Sequence, residues 1–400
     1  MGFFYRQAPR PPGSSVMIKF IFIFLIVAFI SGPIPQANAS PFPFSFYRVL
    51  SSENTRGNFV FSPYSITKAF QLADFGAKGE TLKQIDAVFN YDKTGNQTSE
   101  NDSNQIFFSA NRIWIQKGFS IETQYLNECK TKLAASPGLL DFENASKAAT
   151  LEINEWVEKQ TQGKIKKLIP VDGIDSSTRL VLTNAIYFKA KWQTPIDPAA
   201  TIPQEFHINP KTSVSVSFMR KKMKSEYWEN EEFQILKLPY QKLGITQYEM
   251  IVVLPKVGRA LSSVEKDLSL TSIKAWESNF KIQEVEISLP KFQFEVEFQL
   301  SDSLKRIGLK APFDSAQANF SGIDGRRDLY IGEVFHKAFL KLDEEGTEAA
   351  AATGIGMKFA AMRPKDNPIE FLANRPFLFY IKDPQSDALL FLGRLMNPKP

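Results

Sequence analysis

The sequence predicts an α+β fold in one large domain, and three observations carry that prediction. Helical apolar spacing is concentrated in the first half, strand-like apolar runs dominate the second, and no Pro-, Gly- or Ser-rich linker divides residues 40–400. Segregated helices and strands, with long antiparallel candidates, argue against a doubly wound parallel sheet. A hydrophobic content of 43% supplies a large core, and no internal repeat breaks it up.

Residues 1–39 read as a secretory signal peptide. Phe20 to Ile30 is a run without charge, preceded by Lys19 and followed by Gly32, Pro33, Pro35 and the small-polar-small triplet Ala37-Asn38-Ala39. A membrane span needs about 20 apolar residues, so no membrane anchor is expected. Initiation at Met17 gives the leader a more ordinary shape. The leader also holds Arg6, Arg10 and Lys19 without an acid, so the formal charge of +5 falls to +2 in residues 40–400. A near-neutral chain excludes an electrostatic nucleic-acid binder. Secretion makes the sequons at Asn96, Asn101, Asn144 and Asn319 glycosylation candidates, with Asn319 set in an apolar run. Cys129 stands alone, which excludes an internal disulfide and reads as a buried small hydrophobe.

Within the domain, Ala149, Ile153, Trp156, Val157 and Gln160 recur at helical spacing, and helical character extends over 65–89 and 262–280. Strand character follows at 180–190, 235–238, 250–254, 329–342, 369–381 and 388–395. Phe292, Phe294, Val296 and Phe298 alternate with Gln293, Glu295 and Glu297, the pattern of a strand covering a core on one face. The basic clusters Lys164, Lys166, Lys167 and Arg220, Lys221, Lys222, Lys224 read as solvated faces, since no aromatic platform accompanies them.

Catalytic and metal-binding chemistry is scarce. Two histidines, His207 and His336, and one cysteine leave no zinc, nucleophile-elbow or phosphate-loop motif, so no catalytic residue, metal or cofactor is assigned. A secreted hydrolase is the enzyme-class alternative, and a generic ester turned over through a serine would be its mark. His336, inside an apolar strand, reads as a hydrogen-bonded core residue.

The informative segment runs from Glu344 to Gly356. It leaves a strongly β-like run, carries the quartet Ala349-Ala350-Ala351-Ala352, and precedes Arg363-Pro364 and Asn367-Pro368 before strand character resumes. Flanking glycines and prolines limit any helix to a few turns. If Thr347, Ala349, Ala351 and Thr353 enter a sheet on alternate positions, their small side chains fit a tight cover where Leu or Phe would clash. A flexible surface linker is the alternative reading of such a sequence.

Segments from Phe44 to the C-terminus decide between them, because together they resemble the serpin family in order. They are Asn58-Phe-Val-Phe-Ser62-Pro63-Tyr-Ser65, Asn154-Glu-Trp through Gly163, Leu182-Thr-Asn184 through Trp192, Leu289-Pro-Lys291-Phe292, Phe371-Leu-Ala-Asn374-Arg-Pro376-Phe377 and Phe391-Leu-Gly393 through Pro398. The resemblance is to an inhibitory, invertebrate-like secreted member. It implies three β-sheets, eight or nine helices and a reactive loop at about 344–368. It implies a suicide substrate: a serine protease cuts the loop, is held as a covalent acyl-enzyme, and the freed loop inserts into the central sheet. The hinge is then Glu344, Gly346, Thr347, Glu348, Ala349, Ala350, Ala351, Ala352 and Thr353. Ser62, Ser65, Asn184 and His336 correspond to the polar cluster beneath the strands that part, and Trp192 and Lys291, with Glu344, to the point where the loop enters. Family register places the cut between Ala360 and Ala361, an elastase-like choice. A slipped register would use Phe359 or Met362 for a chymotrypsin-like target, or Lys358 or Arg363 for a trypsin-like one. The partner is the target protease, and the chain is expected as a monomer. The stretch between Tyr91 and Phe107 is short and polar where many members carry basic residues, so no heparin-type polyanion is expected. Non-inhibitory carrier or chaperone members share the fold, but their hinges typically carry charged or bulky residues or proline.

Overall fold

Sixteen strands and nine helices are present among the described residues. The computed structural model describes Gly2 and residues 41–90, 107–242, 247–347 and 368–399. The strands are β1 (Phe59–Phe61), β2 (Phe107–Gln116), β3 (Gly138–Leu140), β4 (Leu180–Phe188), β5 (Ala190–Lys191), β6 (Ile202–Asn209), β7 (Thr212–Glu229) and β8 (Phe233–Pro239). They continue with β9 (Glu249–Pro255), β10 (Lys281–Pro290), β11 (Phe292–Gln299), β12 (Ile331–Asp343), β13 (Gly346–Thr347), β14 (Ile369–Leu372), β15 (Phe377–Lys382) and β16 (Leu389–Leu395). The helices are α1 (Phe42–Glu53), α2 (Pro63–Asp74), α3 (Gly79–Phe89), α4 (Thr123–Leu133), α5 (Phe142–Gln160), α6 (Leu261–Glu265), α7 (Leu270–Ser278), α8 (Ser301–Arg306) and α9 (Ser321–Asp324).

The helix expected around Ala149 and Ile153 is α5, which buries Ala149, Ile153 and Val157 and leaves Gln160 exposed. Two expected helices are each divided. Residues 65–89 form α2 and α3 around a turn that ends at Gly79, where φ is +58°. Residues 262–280 form α6 and α7 because Ser269 starts a fresh helix, exchanging hydrogen bonds with Ser272 as a capping box. The expected strand 369–381 is likewise two, β14 and β15, parted where Pro376 offers no amide donor. Four further strands, β2, β6, β7 and β10, lie where charge and serine mask the apolar alternation. The basic run in β7 faces β10, with Arg220 2.7 Å from Glu286 and Lys222 3.4 Å from Glu284. Two cations of the run are therefore paired with carboxylates across the strands.

The three expected sheets are present, two of them joined. One is the seven-stranded sheet β3-β2-β4-β12-β13-β5, with β11 on the other edge of β12. The other two are linked into one nine-stranded array because β7 is long enough to serve both. Its start pairs with β6, its middle with β10, and its end with β8, which leads on to β9, β15, β16 and β1. On one face of the seven-stranded sheet lies α5, burying Ile153 and Val157 against Tyr187, Phe335 and Phe339. The opposite face, with Leu182, Ile186, Val334, Ala338 and Leu340, feeds the main core shared with α2 and the second array.

Pairing within the seven-stranded sheet positions the site. Strands β4 and β12 are parallel neighbours from Ile331↔Leu180 up to Phe339↔Tyr187. Beyond that point they part, and β13 occupies the fork: Thr347 pairs with Leu342 and Ala190, Gly346 with Asp343 and Lys191, antiparallel on both sides.

Candidate functional site

The fork is built by a tight turn. Residue 346 must be glycine, because its φ is +147° and a Cβ there would lie 2.1 Å from the Ala190 carbonyl oxygen. The turn is then tied on both flanks. The backbone amides of Trp192 and Ile196 donate to the carbonyls of Glu345 (2.7 Å) and Glu344 (2.9 Å). The Trp192 indole N–H donates to Asp343 O at 3.0 Å.

Glu344 faces Lys291, whose ammonium sits 2.7 Å from one carboxylate oxygen and 3.0 Å from the other, and accepts from the Thr201 hydroxyl at 2.8 Å. Burial pushes the Glu344 carboxyl up, but these hydrogen bonds outweigh it and hold it below the usual carboxylate range. Trp192, Lys291 and Glu344 thus meet around this turn. Thr347 is fully buried, and its hydroxyl meets that of Tyr240 at 2.8 Å. The Tyr240 ring stacks on Trp192 at 4.6 Å with an 11° tilt. Burial raises the Tyr240 phenol well above its ordinary value, so it stays protonated.

Below the fork, Ser62, Ser65, Asn184 and His336 form one fully buried network. Ser62 caps α2, its hydroxyl accepting from Ser65 N at 3.1 Å, with Pro63 filling the first helical turn. The Ser62 amide donates to His336 Nε2 at 3.3 Å, which leaves Nδ1–H to bond the Asn184 side-chain oxygen. The Asn184 amide donates in turn to Ser65 Oγ and to Asn111 Oδ1, both at 2.6 Å. Burial pushes the His336 imidazole down to about 3, so the ring is neutral and this tautomer is fixed. His336 lies on β12 and Asn184 on β4, directly opposite each other. Their bond therefore closes the sheet.

Several motif residues tie loops rather than line the fork. Asn58 accepts the amides of Met396 and Asn397, and Asn154 accepts those of Leu168 and Ile169, strapping the segment after α5 over the sheet. The reactive-bond residues Ala360 and Ala361, the alternatives Lys358, Phe359, Met362 and Arg363, and hinge residues Glu348 to Thr353 lie outside the described residues, as do Asn96, Asn101 and all of the leader but Gly2. Asn144 is exposed, its amide donating to Asp141, while Asn319 is half-buried and accepts from Ser321 N. Cys129, a residue of α4, is buried, which pushes its thiol up to about 11. His207 is exposed on β6, away from the network. Among the described residues no group of three or more His, Cys, Asp or Glu could hold a metal.

Sequence reasoning missed Asn111, Thr201 and Tyr240. Asn111 sits on β2 opposite Asn184, and only that cross-strand register reveals it. Tyr240 follows Pro239 at the end of β8 and bridges to Trp192 through an isolated strand pair. No sequence spacing signals either.

The site is thus a parallel strand pair forked by the chain that leaves it, over a buried polar network. The family model described as Serpin (serine protease inhibitor) matches residues 37–398, and the chain belongs to that family. Human leukocyte elastase inhibitor is 34% identical over 375 residues, covering 89% of this chain and 97% of that protein. An uncharacterized serpin-like protein of Thermococcus kodakarensis is 37% identical over 380 residues, covering 91% and 86%. Human thyroxine-binding globulin in complex with its hormone superposes with a TM-score of 0.79 at 28% identity, covering 90% of this chain and 97% of that one.

Proposed function

We propose that this chain is a secreted inhibitor of a serine protease with elastase-like preference, acting as a suicide substrate cut between Ala360 and Ala361. The observation that carries the reading is the seating of Gly346 and Thr347 between β12 and β5. Continued in the same register, Glu348 pairs with Lys341 and Ala349 with Leu340, after which every added residue must displace β4 from β12. Thr347, Ala349, Ala351 and Thr353 then share the core-facing side with Leu342, Leu340, Ala338 and His336, where only small groups fit. Glu348 meets Lys341 on the other side. Thr353 arrives opposite His336 and replaces Asn184 as its neighbour.

The energetics suffice. Loop insertion is a known switching transition of serpins, and a new central strand of about a dozen backbone hydrogen bonds at roughly 0.5–1.5 kcal/mol each gives on the order of 10 kcal/mol. That matches the whole stability of a typical domain, about 5–15 kcal/mol, and is enough to distort an acylated protease so that deacylation stalls. The small hinge residues also weigh against a carrier role. The identity to leukocyte elastase inhibitor and the alanines at the proposed bond favour an elastase-like target. Trypsin- and chymotrypsin-like targets correspond to the neighbouring bonds, which mass spectrometry of the cleaved C-terminal fragment distinguishes.

Thr347→Arg places a charge in the buried fork and should turn inhibitor into substrate. A denaturing gel after incubation with pancreatic elastase reads it: the wild type gives a covalent complex, the variant only cleaved chain. An undiminished complex in the variant defeats the reading.

A further inference from the structure

Outside the fork, a crevice of about 440 Å³ opens between α2, β2, the turn after α4, and α5. Its volume lies in the range of small-ligand sites, about 300–1,000 Å³. Among the described residues Arg112 lines it with Lys68, Asn111, Gln160 and the Trp156 indole, and none of the described lining residues is a carboxylate. Arg112 is held in a fixed pose. Its Nε donates to Ser136 O at 2.9 Å and Nη2 to Pro137 O at 3.4 Å, and the guanidinium lies 4.5 Å from the Trp114 ring and 5.2 Å from the Trp156 ring. Both hydrogen-bond acceptors are neutral carbonyls, so this half-buried cation has no counter-ion within ion-pair distance among the described residues. Burial depresses the guanidinium, and Glu152, one turn before Trp156 on α5, is the carboxylate that offsets it from a distance. A fixed planar guanidinium facing a polar cavity suits an oxyanion, bound through paired N–H donors.

The crevice also touches the lock beneath the sheet. Asn111 lines it, and the same Asn111 side-chain oxygen accepts from Asn184 (2.6 Å) and Ser65 (2.9 Å). Gln160 and Trp156 belong to α5, which lies on the face of β2 and β4 that must shift if the sheet opens. We propose that the crevice binds a small organic oxyanion, a phosphate or carboxylate on a polar body, and that its occupancy holds the sheet closed and slows loop insertion. The binding half stands alone, and the regulatory half rests on the insertion reading above.

The full chain is titrated with glucose 6-phosphate, citrate, glucose and inorganic phosphate, reading Tm and tryptophan fluorescence. A ligand that binds the closed form stabilises it by mass action, so about 10 mM of an organic anion should raise Tm by several degrees, glucose should not, and Lys68→Gln or the crevice-filling Gln160→Trp should cancel the rise. Phosphate favoured over citrate, or the reverse, assigns the oxyanion. No shift with either organic anion, an equal shift with inorganic phosphate, or shifts that survive both variants would overturn the site. The second arm follows uptake of a synthetic peptide copying residues 347–359. Uptake slowed about threefold or more by the anion, and not in Gln160→Trp, supports the coupling, since uptake requires the open sheet. Binding with unchanged uptake overturns the coupling and leaves the site. A protein that takes up no peptide even without anion speaks against the insertion reading, while the Tm arm still decides the site.

Discussion

The two halves of the seven-stranded sheet are closed in different ways. The upper half is held open by the chain's own hinge: Gly346 and Thr347 fill the fork, and Trp192, Tyr240, Thr201 and Lys291 bind that turn. The lower half is shut by hydrogen bonds between buried side chains, His336 and Asn184 above all, in place of apolar packing. An apolar seam would resist any inserted backbone by its shape. A polar lock can exchange its partners for those of an arriving strand, so the barrier to opening is the desolvation cost of groups briefly left unpaired.

The sharpest way to break this contrast is at the fork. Gly346→Val adds a Cβ against the Ala190 carbonyl in a backbone conformation that valine avoids, so the hinge should leave the fork and stability should fall by about 3 kcal/mol or more. Urea unfolding would show it, together with loss of protease complex. The lock should respond to acid instead. His336 stays neutral in the fold down to about pH 3 while the unfolded chain takes up its proton near pH 6.5. The contribution is complete above pH 6.5 and shrinks as pH falls from 6.5 to 3, by about 1.4 kcal/mol per pH unit. His336→Gln should flatten that part of the stability profile, and an unchanged slope would remove the imidazole from the lock. Asn184→Ala leaves Nδ1–H without its acceptor, and should cost about 1–3 kcal/mol and accelerate spontaneous loss of inhibitory capacity on warming. Smallest is Tyr240→Phe, which removes one hydroxyl pair with Thr347. About 0.5–1.5 kcal/mol in urea unfolding, with peptide uptake quickened, is the expected outcome.

Much of this was legible in the sequence, for identifiable reasons. The strands of the core announce themselves because they are buried on both faces, as β4 and β15 are along their whole length. The helix α5 shows through its four-residue spacing. Strands β7 and β10 were hidden because charged side chains interrupt their apolar residues, and the pairing of Arg220 and Lys222 with glutamates across the strands is visible only in register. The same holds at the site. Ser62, Asn184 and Lys291 sit in motifs and His336 in an apolar strand, whereas Asn111, Thr201 and Tyr240 matter through what stands across from them, a property of pairing rather than of spacing.

The last two strands carry a consequence of their own. Strand β15 lies between β9 and β16, and β16 between β15 and β1, with Phe377 through Tyr380 and Phe391 and Leu392 sealed from water. Any cut between Thr347 and Pro368 severs covalent continuity there but frees nothing. The tail stays threaded through the interior, so the nicked molecule should elute as one particle from a sizing column and come apart into two polypeptides only when unfolded.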